Sequence, residues 1–508
     1  MASKISHGFM FYLLLVLGII LGAFVICIML MIFVPDFSLF GVKYFKANYS
    51  ESRFIEMDVY ANTESTDNIG TVNLDAEGYI INNIEINSNL YSIRVVKSSN
   101  NPIYGINYGQ FVVIFNSNYS GFTTDESAKV EKSINYYQNT GTLSISITGP
   151  EGFIKFGNPG SITLQIPPDY NTNNINLNVK TNNDITIGDR ASSANLSPSI
   201  LNLRSINLEG NGINITNYST VGLFGTENCS IKTGNGAMSI NTTINAKDLT
   251  IVAGETTLDF NKEQQSFNLS GDLSLTTNNT IVYLGDVNVG LNNVLLNNTY
   301  GKIYVKGNII GNVVVDQNSL KCDYEFKDIT GRFFFGNYFD EKFVEGGNIK
   351  VDGIITGNVT IATTGKININ RIQSLTKIKN TNGAVNIDII NASAPVNINT
   401  INGNINLGSE TNRVSSRVNL TSTGSGLINI YFNSFIYSGE TPSTINTRNG
   451  KINIYLIENM ERNISATTTK SLKYLGVEII SKSGEWVVGD EAKLLNISSS
   501  SDIVISNK

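Results

Sequence analysis

Gly301–Val315 reads GKIYVKGNIIGNVVV and Gly347–Ile361 reads GNIKVDGIITGNVTI, with glycine at the first, seventh and eleventh positions of both. Every odd position is apolar or glycine, and most even positions are polar. This period of two predicts β-strands that bury one face. The two stretches start 46 residues apart. Repeats of about 20–50 residues indicate a solenoid or an array rather than one compact enzyme core.

Shorter glycine-led strands extend the same pattern toward the C-terminus. GKININRI begins at Gly365, GAVNIDII at Gly383, GNINLG at Gly403, GLINIY at Gly426 and GKINIY at Gly450. The last four starts are 20, 23 and 24 residues apart. They predict a coil of 20–24 residues, so that the 46-residue duplication spans about two coils. About fifteen coils at about 4.8 Å each would make a rod on the order of 70 Å long.

Within such a coil, the alternation assigns each residue type a place. The Ile and Val side chains of I-x-I point inward, where each contributes about 1.5–3 kcal/mol when fully buried. The Asn between them faces solvent or stacks in line with its neighbours in the next coils. Glycine is expected where a strand turns a corner.

Composition favours an all-β fold. Asn, Ser, Thr, Ile and Gly dominate the 508 residues, and strong helix formers are scarce outside the N-terminus. We therefore predict a β-solenoid or β-helix-like repeat domain preceded by one N-terminal transmembrane α-helix. Only 15% of residues are charged and the net charge is −6, so nothing in the charge favours nucleic acid as a partner.

The N-terminal apolar stretch predicts a membrane anchor. Phe9–Val34 contains no charged residue over 26 positions. As a helix it would be about 39 Å long, which spans a hydrocarbon core of about 30 Å with some tilt. The apolar region of a cleavable signal peptide is shorter, about 7–15 residues. We expect an uncleaved anchor, with the lipid bilayer as its partner.

The flanking charges and the composition of the chain predict opposite orientations across the membrane. Lys4 precedes it, and Lys43, Lys46 and Arg53 follow it. Counted simply, the positive-inside rule places the large C-terminal part in the cytoplasm. The low charge and the high Asn, Ser and Thr content suit an exported domain instead. We expect a single-pass protein of the cell membrane with its large C-terminal domain extracellular.

Five regions follow from these patterns. We predict a short head at 1–8, a transmembrane helix at 9–34, a juxtamembrane linker at 35–66, a β-rich capping region at 67–170 and a β-solenoid adhesin-like domain at 171–508.

Three local features complete this interpretation. A short helical turn is expected within 125–139. Trp486 and the strands SGEWVVGD and DIVIS are expected to cover the C-terminal end of the stack, because open strand edges invite polymerisation. The run RFFFGNYF from Arg332 is interpreted as a packed insertion or corner, with an aromatic platform for glycan stacking as the alternative.

The chain offers little for catalysis. Its single histidine, His7, precedes the membrane span, so the large domain cannot form a Ser-His-Asp or Cys-His arrangement. Nucleotide-binding, zinc-protease and calcium-repeat motifs are absent. Cys229 and Cys322 are interpreted as small buried hydrophobes, with a disulfide possible only if the fold brings them together. We predict no catalytic residue, no cofactor and no metal site.

Asp and Glu side chains are the remaining candidates for catalysis. Enzymes that cleave polysaccharides place several Asp or Glu on one face of neighbouring coils. A turn-stabilising role is the preferred interpretation, because the candidates occur singly and mostly at turn positions. These candidates are Asp184, Asp189, Asp248, Asp259, Asp272 and Asp286.

The stretch SITLQIPPDYNTNNINLNVKTNNDITIGD at 161–189 resembles the adhesin domain family of bacterial and archaeal surface proteins. In that family a strand ends in a proline step, here Ile166-Pro167, and a T-x-N-G-D-I-x-I turn follows. Asn183 stands where the family often has glycine, and TNGAVNI at Thr381 and INGNINL at Ile401 fit the turn better. The resemblance covers 160–460. It implies a β-solenoid surface protein without common catalytic residues, with surface glycans or proteins of other cells as partners.

Three alternatives remain open at this stage. The GxIxGNV steps at Gly307 and Gly353 also resemble bactofilins, which are cytoplasmic β-helical scaffolds that polymerise end to end. A β-helix enzyme that cleaves polysaccharides would need at least two carboxylates within about 10 Å of each other on one face. A membrane-bound sensor is the third alternative, although an eight-residue head leaves almost no output module.

Overall fold

The structure is a computed structural model, and it describes most of the chain in nineteen segments. These are 7–34, 37–55, 80–97, 111–124, 129–150, 152–167, 170–188, 200–222, 225–254, 258–260, 266–278, 280–316, 318–319, 321–391, 394–433, 441–458, 463–480, 482–489 and 495–507.

The described segments form one α-helix and 45 strands. The chain divides into two compact units. Unit 1 comprises 1–201 and 208–211, and unit 2 comprises 202–207 and 212–508.

Helix α1 spans His7–Phe33, within which Met10–Phe33 is long and apolar enough to cross a membrane. At about 1.5 Å per residue, its 27 residues extend about 40 Å. None of its most apolar window is buried against the rest of the protein. A membrane anchor and a signal sequence both have this length and composition.

Unit 1 contains the first ten strands. They are β1 (Ser38–Leu39), β2 (Val42–Ile55), β3 (Asn83–Ser88), β4 (Ser92–Lys97), β5 (Phe111–Thr123), β6 (Glu131–Tyr137), β7 (Thr142–Thr148), β8 (Gly152–Ile166), β9 (Asn176–Thr181) and β10 (Ile185–Ile187).

The coils of unit 1 are not stacked in chain order. Strand β3 lies between β7 and β9, and β4 lies between β8 and β10, with all these pairs parallel. Antiparallel strands follow on one side of this stack: β6 on β7, β5 on β8 and β2 on β5. The parallel ladder therefore ends within the region predicted to be a cap.

Two local predictions in unit 1 were wrong. Strand β2 occupies much of the segment 35–66, which was expected to be a linker, and pairs with β5 along its whole length. Strand β6 forms where a helical turn was expected within 125–139. Strand β2 owes its state to a distant ladder partner, which overrides weak local preference. Strand β6 forms a local hairpin with β7, with Tyr137 paired to Thr142. Residues 35–36, 56–66 and 125–128 lie outside the described residues.

The next thirteen strands begin with β11. They are β11 (Leu201–Leu203), β12 (Ser205–Gly210), β13 (Ile213–Ile215), β14 (Ser219–Val221), β15 (Cys229–Thr233), β16 (Met238–Ile240), β17 (Ile244–Ala246), β18 (Leu249–Ala253), β19 (Leu258–Phe260), β20 (Ser266–Leu269), β21 (Leu273–Thr277), β22 (Thr280–Leu284) and β23 (Asp286–Asn298).

The middle of unit 2 continues the series. Its strands are β24 (Gly301–Val305), β25 (Ile309–Val315), β26 (Cys322–Phe326), β27 (Ile329–Thr330), β28 (Phe333–Phe335), β29 (Ile349–Ile355), β30 (Val359–Thr363), β31 (Ile367–Ile372), β32 (Thr376–Asn380), β33 (Val385–Ile390), β34 (Val396–Thr400) and β35 (Ile405–Leu407).

Ten strands complete unit 2. They are β36 (Val418–Ser422), β37 (Ile428–Tyr431), β38 (Ser443–Thr447), β39 (Ile452–Leu456), β40 (Ile464–Thr468), β41 (Leu472–Tyr474), β42 (Val477–Ile480), β43 (Gly484–Val488), β44 (Leu495–Ser499) and β45 (Ile503–Asn507).

Unit 2 is a β-solenoid, as predicted. One face, which we call face A, runs through β13, β16, β19, β22, β24, β26, β29, β31, β33, β35, β37, β39, β45 and β41. Consecutive strands of face A pair in parallel, and at about 4.8 Å per step it is about 60 Å long. A second parallel series, face B, includes β28, β30, β32, β34, β36, β38, β44 and β40.

The coil length varies more than the glycine spacing suggests. Val359 pairs with Thr376, 17 positions on, whereas Phe333 pairs with Val359, 26 positions on. The predicted 20–24 residues lie within this range. The longer coils carry their extra residues in turns, which a solenoid tolerates because its strands stay in register.

The 46-residue duplication corresponds to two coils. Ile303 pairs with Tyr324, and Tyr324 pairs with Ile349, so the equivalent positions of the two stretches are separated by one intervening coil. That coil carries aromatic residues where its neighbours carry Ile and Val. Phe333 and Phe335 of β28 point into the core.

The run RFFFGNYF is therefore not an insertion, and the prediction was wrong for its first half. Strand β28 belongs to the regular series, because Phe333 pairs with Val313 on one side and Val359 on the other. Only Tyr338 and Phe339 lie in the turn that follows. The Lys379 ammonium lies 4.6 Å above the Tyr338 ring.

Stacked glycines mark one corner of the solenoid. An added Cβ at Gly365, Gly383 or Gly403 would lie 2.0–2.1 Å from the carbonyl oxygen of the glycine one coil earlier. The same close approach recurs at Gly426 and Gly450. Only glycine fits there, because the obstructing atoms are backbone.

At the C-terminal end of unit 2, as in unit 1, the parallel stack is out of chain order and antiparallel strands follow it. Strands β44 and β45, the last of the chain, lie inside the stack, between β38 and β40 and between β39 and β41. The sequence DIVIS was therefore wrongly assigned to a cap. Antiparallel β43 and β42 follow β40 and β41, and Trp486 of β43 lies 4.7 Å from the ring of Tyr474.

Cys229 and Cys322 are buried and unpaired, as the preferred interpretation predicted. Burial, as the largest cause, raises the pKa of Cys229 to about 11 and that of Cys322 to about 12. Both groups therefore remain neutral thiols at physiological pH and act as small core residues.

Candidate binding groove

A continuous row of asparagines runs along face A. Asn386 Nδ2 donates to Asn368 Oδ1, Asn406 to Asn386, Asn429 to Asn406, and Asn453 to Asn429, each at 2.7 Å. We call these five residues the amide column. Each lies between two buried aliphatic residues of its strand, so the pleat turns its side chain outward. The predicted in-line stacking of Asn is confirmed.

A second row lies beside the first, two positions further along each strand. Asn370 and Asp388 form this row with Asp352, which lies at the register shift of β29, and with Gly408, which follows β35; we call it the corner column. Asn370 Nδ2 donates to the Asp352 carbonyl at 2.8 Å, and Asn412 Nδ2 donates to Asp388 Oδ2 at 2.5 Å.

The two columns line an open groove of about 310 Å³. It extends over four coils, from Lys350 and Asp352 to Asn406 and Gly408. At three steps of about 4.8 Å, its length is about 14 Å. Seven of its eleven lining residues are Asn, Asp or Lys, and the others are Val351, Ile369, Ile387 and Gly408.

At the first coil of the groove, the positive charge of Lys350 is paired with two carboxylates. Lys350 Nζ lies 2.8 Å from Asp352 Oδ2 and 3.0 Å from Glu325 Oε1. Hydrogen bonds to Asp352 first, and to Glu325 second, raise the pKa of Lys350 above its ordinary value, so the ammonium stays protonated at neutral pH. The charged residues of the lining are Lys350, Asp352 and Asp388, which leaves the groove with one excess negative charge.

Two tyrosines continue the corner column beyond the groove. Tyr431 pairs with Tyr455, and their rings stack at 4.2 Å with an angle of 20° between planes. Gly408 precedes Tyr431 in the column, and an added Cβ at Gly408 would lie 3.3 Å from the Tyr431 Cβ. The same Cβ would lie 2.7 Å from the Asn412 carbonyl oxygen, so the turn at Asn412 packs against Gly408. Tyr455 covers one face of the Tyr431 ring, which is half-buried.

The amide column has unused hydrogen-bonding capacity. A side-chain amide has two N–H donors and an oxygen with two lone pairs. A central member such as Asn386 uses one donor on Asn368 and one lone pair on Asn406. One donor and one lone pair per coil remain available to a ligand.

Three of the aspartates considered as catalytic candidates accept a backbone hydrogen bond from the next coil. Asp248 Oδ1 accepts from the Asp272 amide at 2.9 Å, Asp272 Oδ1 from the Asn293 amide at 2.8 Å, and Asp286 Oδ1 from the Asn308 amide at 2.7 Å. Each thus ties a turn to the next coil. Asp184 is exposed in a turn of unit 1.

Two further candidates fall partly or wholly outside what can be described. Asp259 belongs to strand β19, but its side chain is not among the described groups, and Asp189 lies outside the described residues. In the described part of the chain, no three His, Cys, Asp or Glu side chains are grouped so as to hold a metal ion.

The residues of the groove were not singled out from the sequence. Asp352 and Asp388 are 36 positions apart, and Tyr431 is 43 positions beyond Asp388. One available signal was the recurrence of INIY at Ile428 and Ile452, which places Asn and Tyr on the same outward face in successive coils.

Comparison of the chain with protein-family models, with curated proteins and with solved structures found no match. The similarity to adhesin domains and to bactofilins therefore rests on the motifs quoted above.

Proposed function

We propose that this chain is a membrane-anchored, non-enzymatic cell-surface protein that acts in attachment or envelope interaction, as adhesins do. The observation that carries the proposal is the groove of face A. It presents evenly spaced amides, flanked by tyrosine, toward solvent. Such a surface suits recognition of an external ligand by many similar contacts.

The membrane helix and the ends of the solenoid support this proposal. Helix α1 would hold the protein at the bilayer, leaving the polar solenoid in the aqueous phase. A scaffold of the bactofilin kind would need open parallel edges to polymerise end to end. At the described end of unit 2, antiparallel β42 and β43 interrupt the parallel ladder, which argues against that alternative.

Protease treatment of intact cells tests the location. With the full chain expressed in a host, we expect external protease to degrade the large domain without lysis, because the domain faces outward. The measurement is an immunoblot with a C-terminal tag, and a cytoplasmic protein serves as the control for cell integrity. Protection of the domain until the cells are lysed would reject the surface assignment and favour the scaffold.

A polysaccharide-cleaving activity is a second candidate. One observation favours it: Asp352 and Asp388 lie two coils apart on the same column, about 10 Å at about 4.8 Å per step. This backbone spacing is close to the separation of about 6.5–9.5 Å between the two carboxyl groups of inverting glycosidases. Release of reducing ends from neutral polysaccharides, lost in Asp388→Asn, would establish this activity. Under the first proposal no ends are released.

A further inference from the structure

We propose that the groove of face A binds an uncharged, extended β-linked polysaccharide whose chain runs along the solenoid axis, with one sugar unit per coil. This inference rests on the proposed surface function, because it names the ligand of that surface. Four properties of the groove support it: its spacing, its hydrogen-bonding groups, its charge and its shape.

The spacing of the groove matches that of an extended glycan. Successive amides of the column are one strand spacing apart, about 4.8 Å. A pyranose unit in an extended β-linked chain advances by nearly the same distance. Successive units of such a chain alternate in orientation, so equivalent edges of the sugar recur at every second coil and the contacts stay in register along the groove. A curved α-linked chain would lose this register after one or two units.

The hydrogen-bonding groups are complementary to sugar hydroxyls. Each central amide retains one N–H and one lone pair after its ladder bonds to Asn368, Asn386 or Asn406. A hydroxyl can both donate and accept, so it can satisfy the two together. The ladder also holds the amides in place before the ligand arrives, which reduces the entropy lost on binding.

The charge of the groove argues against a polyanion. Lys350, the only cationic residue of the lining, already pairs with Asp352 and Glu325. Asp388 adds a further carboxylate, so an acidic polysaccharide or a nucleic acid would meet net repulsion.

The shape of the groove gives the ligand a defined end. Gly408 ends the groove, and the half-buried Tyr431 ring, which stacks on Tyr455, lies next in the corner column. The apolar edge of a sugar ring can pack against that aromatic surface. Four coils between Lys350 and Gly408 accommodate three to four sugar units, roughly one per strand spacing.

Isothermal titration of the detergent-solubilised full chain with defined oligosaccharides tests this inference. The probes are cello-oligosaccharides of one to six units, malto-oligosaccharides of the same lengths and oligogalacturonate. We expect Kd for cello-oligosaccharides to fall at least about tenfold from one unit to four and to change less than about twofold from four to six. Malto-oligosaccharides and oligogalacturonate should bind at least about tenfold more weakly than cellotetraose.

Two variants locate the site, and a third is the matched control. Asn406→Val removes one groove amide, and valine is tolerated in this column, since Val504 occupies it opposite Asn453. Asn419→Val removes a similar ladder bond, 2.8 Å to Asn397, on face B, away from the groove. Asn406→Val and Tyr431→Ala should each weaken cellotetraose binding about tenfold, whereas Asn419→Val should change it less than about twofold.

The outcomes separate this inference from the proposed function. If no cello-oligosaccharide binds, if oligogalacturonate binds better, or if Asn406→Val and Asn419→Val weaken binding equally, the inference is wrong. An externally cleaved domain that binds none of these sugars would reject the ligand class and leave the surface function standing. Sugar binding by a domain that external protease cannot reach would retain the ligand class and reject the surface function.

Discussion

Replacing Phe333 by alanine is expected to lower the free energy of unfolding of unit 2 by about 3–5 kcal/mol. Phe333 is fully buried in the aromatic coil, and its ring meets that of Phe326 edge to face at 5.5 Å. Each coil is supported only by the coils above and below, so a cavity there also weakens both neighbours. Urea denaturation of the full chain in micelles, followed by far-UV circular dichroism, measures the change.

The adjacent residue provides the control. Phe334 lies in the same strand but is only half-buried, because the pleat turns it outward. Phe334→Ala is expected to cost less than about 1 kcal/mol, since little enclosed volume is lost. Hydrogen exchange should show the Phe333→Ala effect first in β25 and β30, which pair with β28. Equal losses from the two substitutions would contradict the assignment of β28 to the regular series.

A single methyl group at Gly383 is expected to destabilise the solenoid by about 3 kcal/mol or more. The Cβ of Gly383→Ala would lie 2.0 Å from the Gly365 oxygen and 2.3 Å from the Gly365 carbonyl carbon. Both atoms are backbone, so no change of rotamer can relieve the overlap. The coils must move apart, which lengthens ladder hydrogen bonds on each side. The same denaturation experiment measures this effect.

Gly484 is the matched position without a close neighbour. An added Cβ there meets only the Ile480 side chain, at 3.6 Å or more. Gly484→Ala should therefore change stability by no more than about 0.5 kcal/mol. If Gly383→Ala proved equally mild, the coils could not be packed as closely at this corner as the structure has them.

The regular part of this fold could be predicted because its signals are local. Alternation within ITI, INI and VNI assigns a buried and an exposed face without knowledge of the partner strands. Glycine spacing then gives the coil length, and pairing of Ile303 with Ile349 through Tyr324 explains the 46-residue offset. The outward asparagines were predicted either to face solvent or to stack in line, and in the amide column they stack.

The ends of the stack could not be predicted in the same way. Nothing in the composition of 42–55 distinguishes a strand from a linker, because this segment pairs with 111–123, far along the chain. The insertion of β44 and β45 between earlier coils likewise depends on which edge remains unpaired. A strand's propensity is a property of its surroundings as much as of its sequence.

For the groove, the contributions of the sequence and of the tertiary structure can be separated clearly. The sequence by itself determined the apolar helix, the inward Ile and Val, and the asparagines that face outward at each coil. Only the tertiary structure decided that Asp352, Asp388, Gly408 and Tyr431 share one column, because their alignment depends on the lengths of the intervening turns. Coils of 17 to 26 residues bring these side chains into register through the backbone hydrogen bonds between strands. That register is a long-range property, which no local pattern contains.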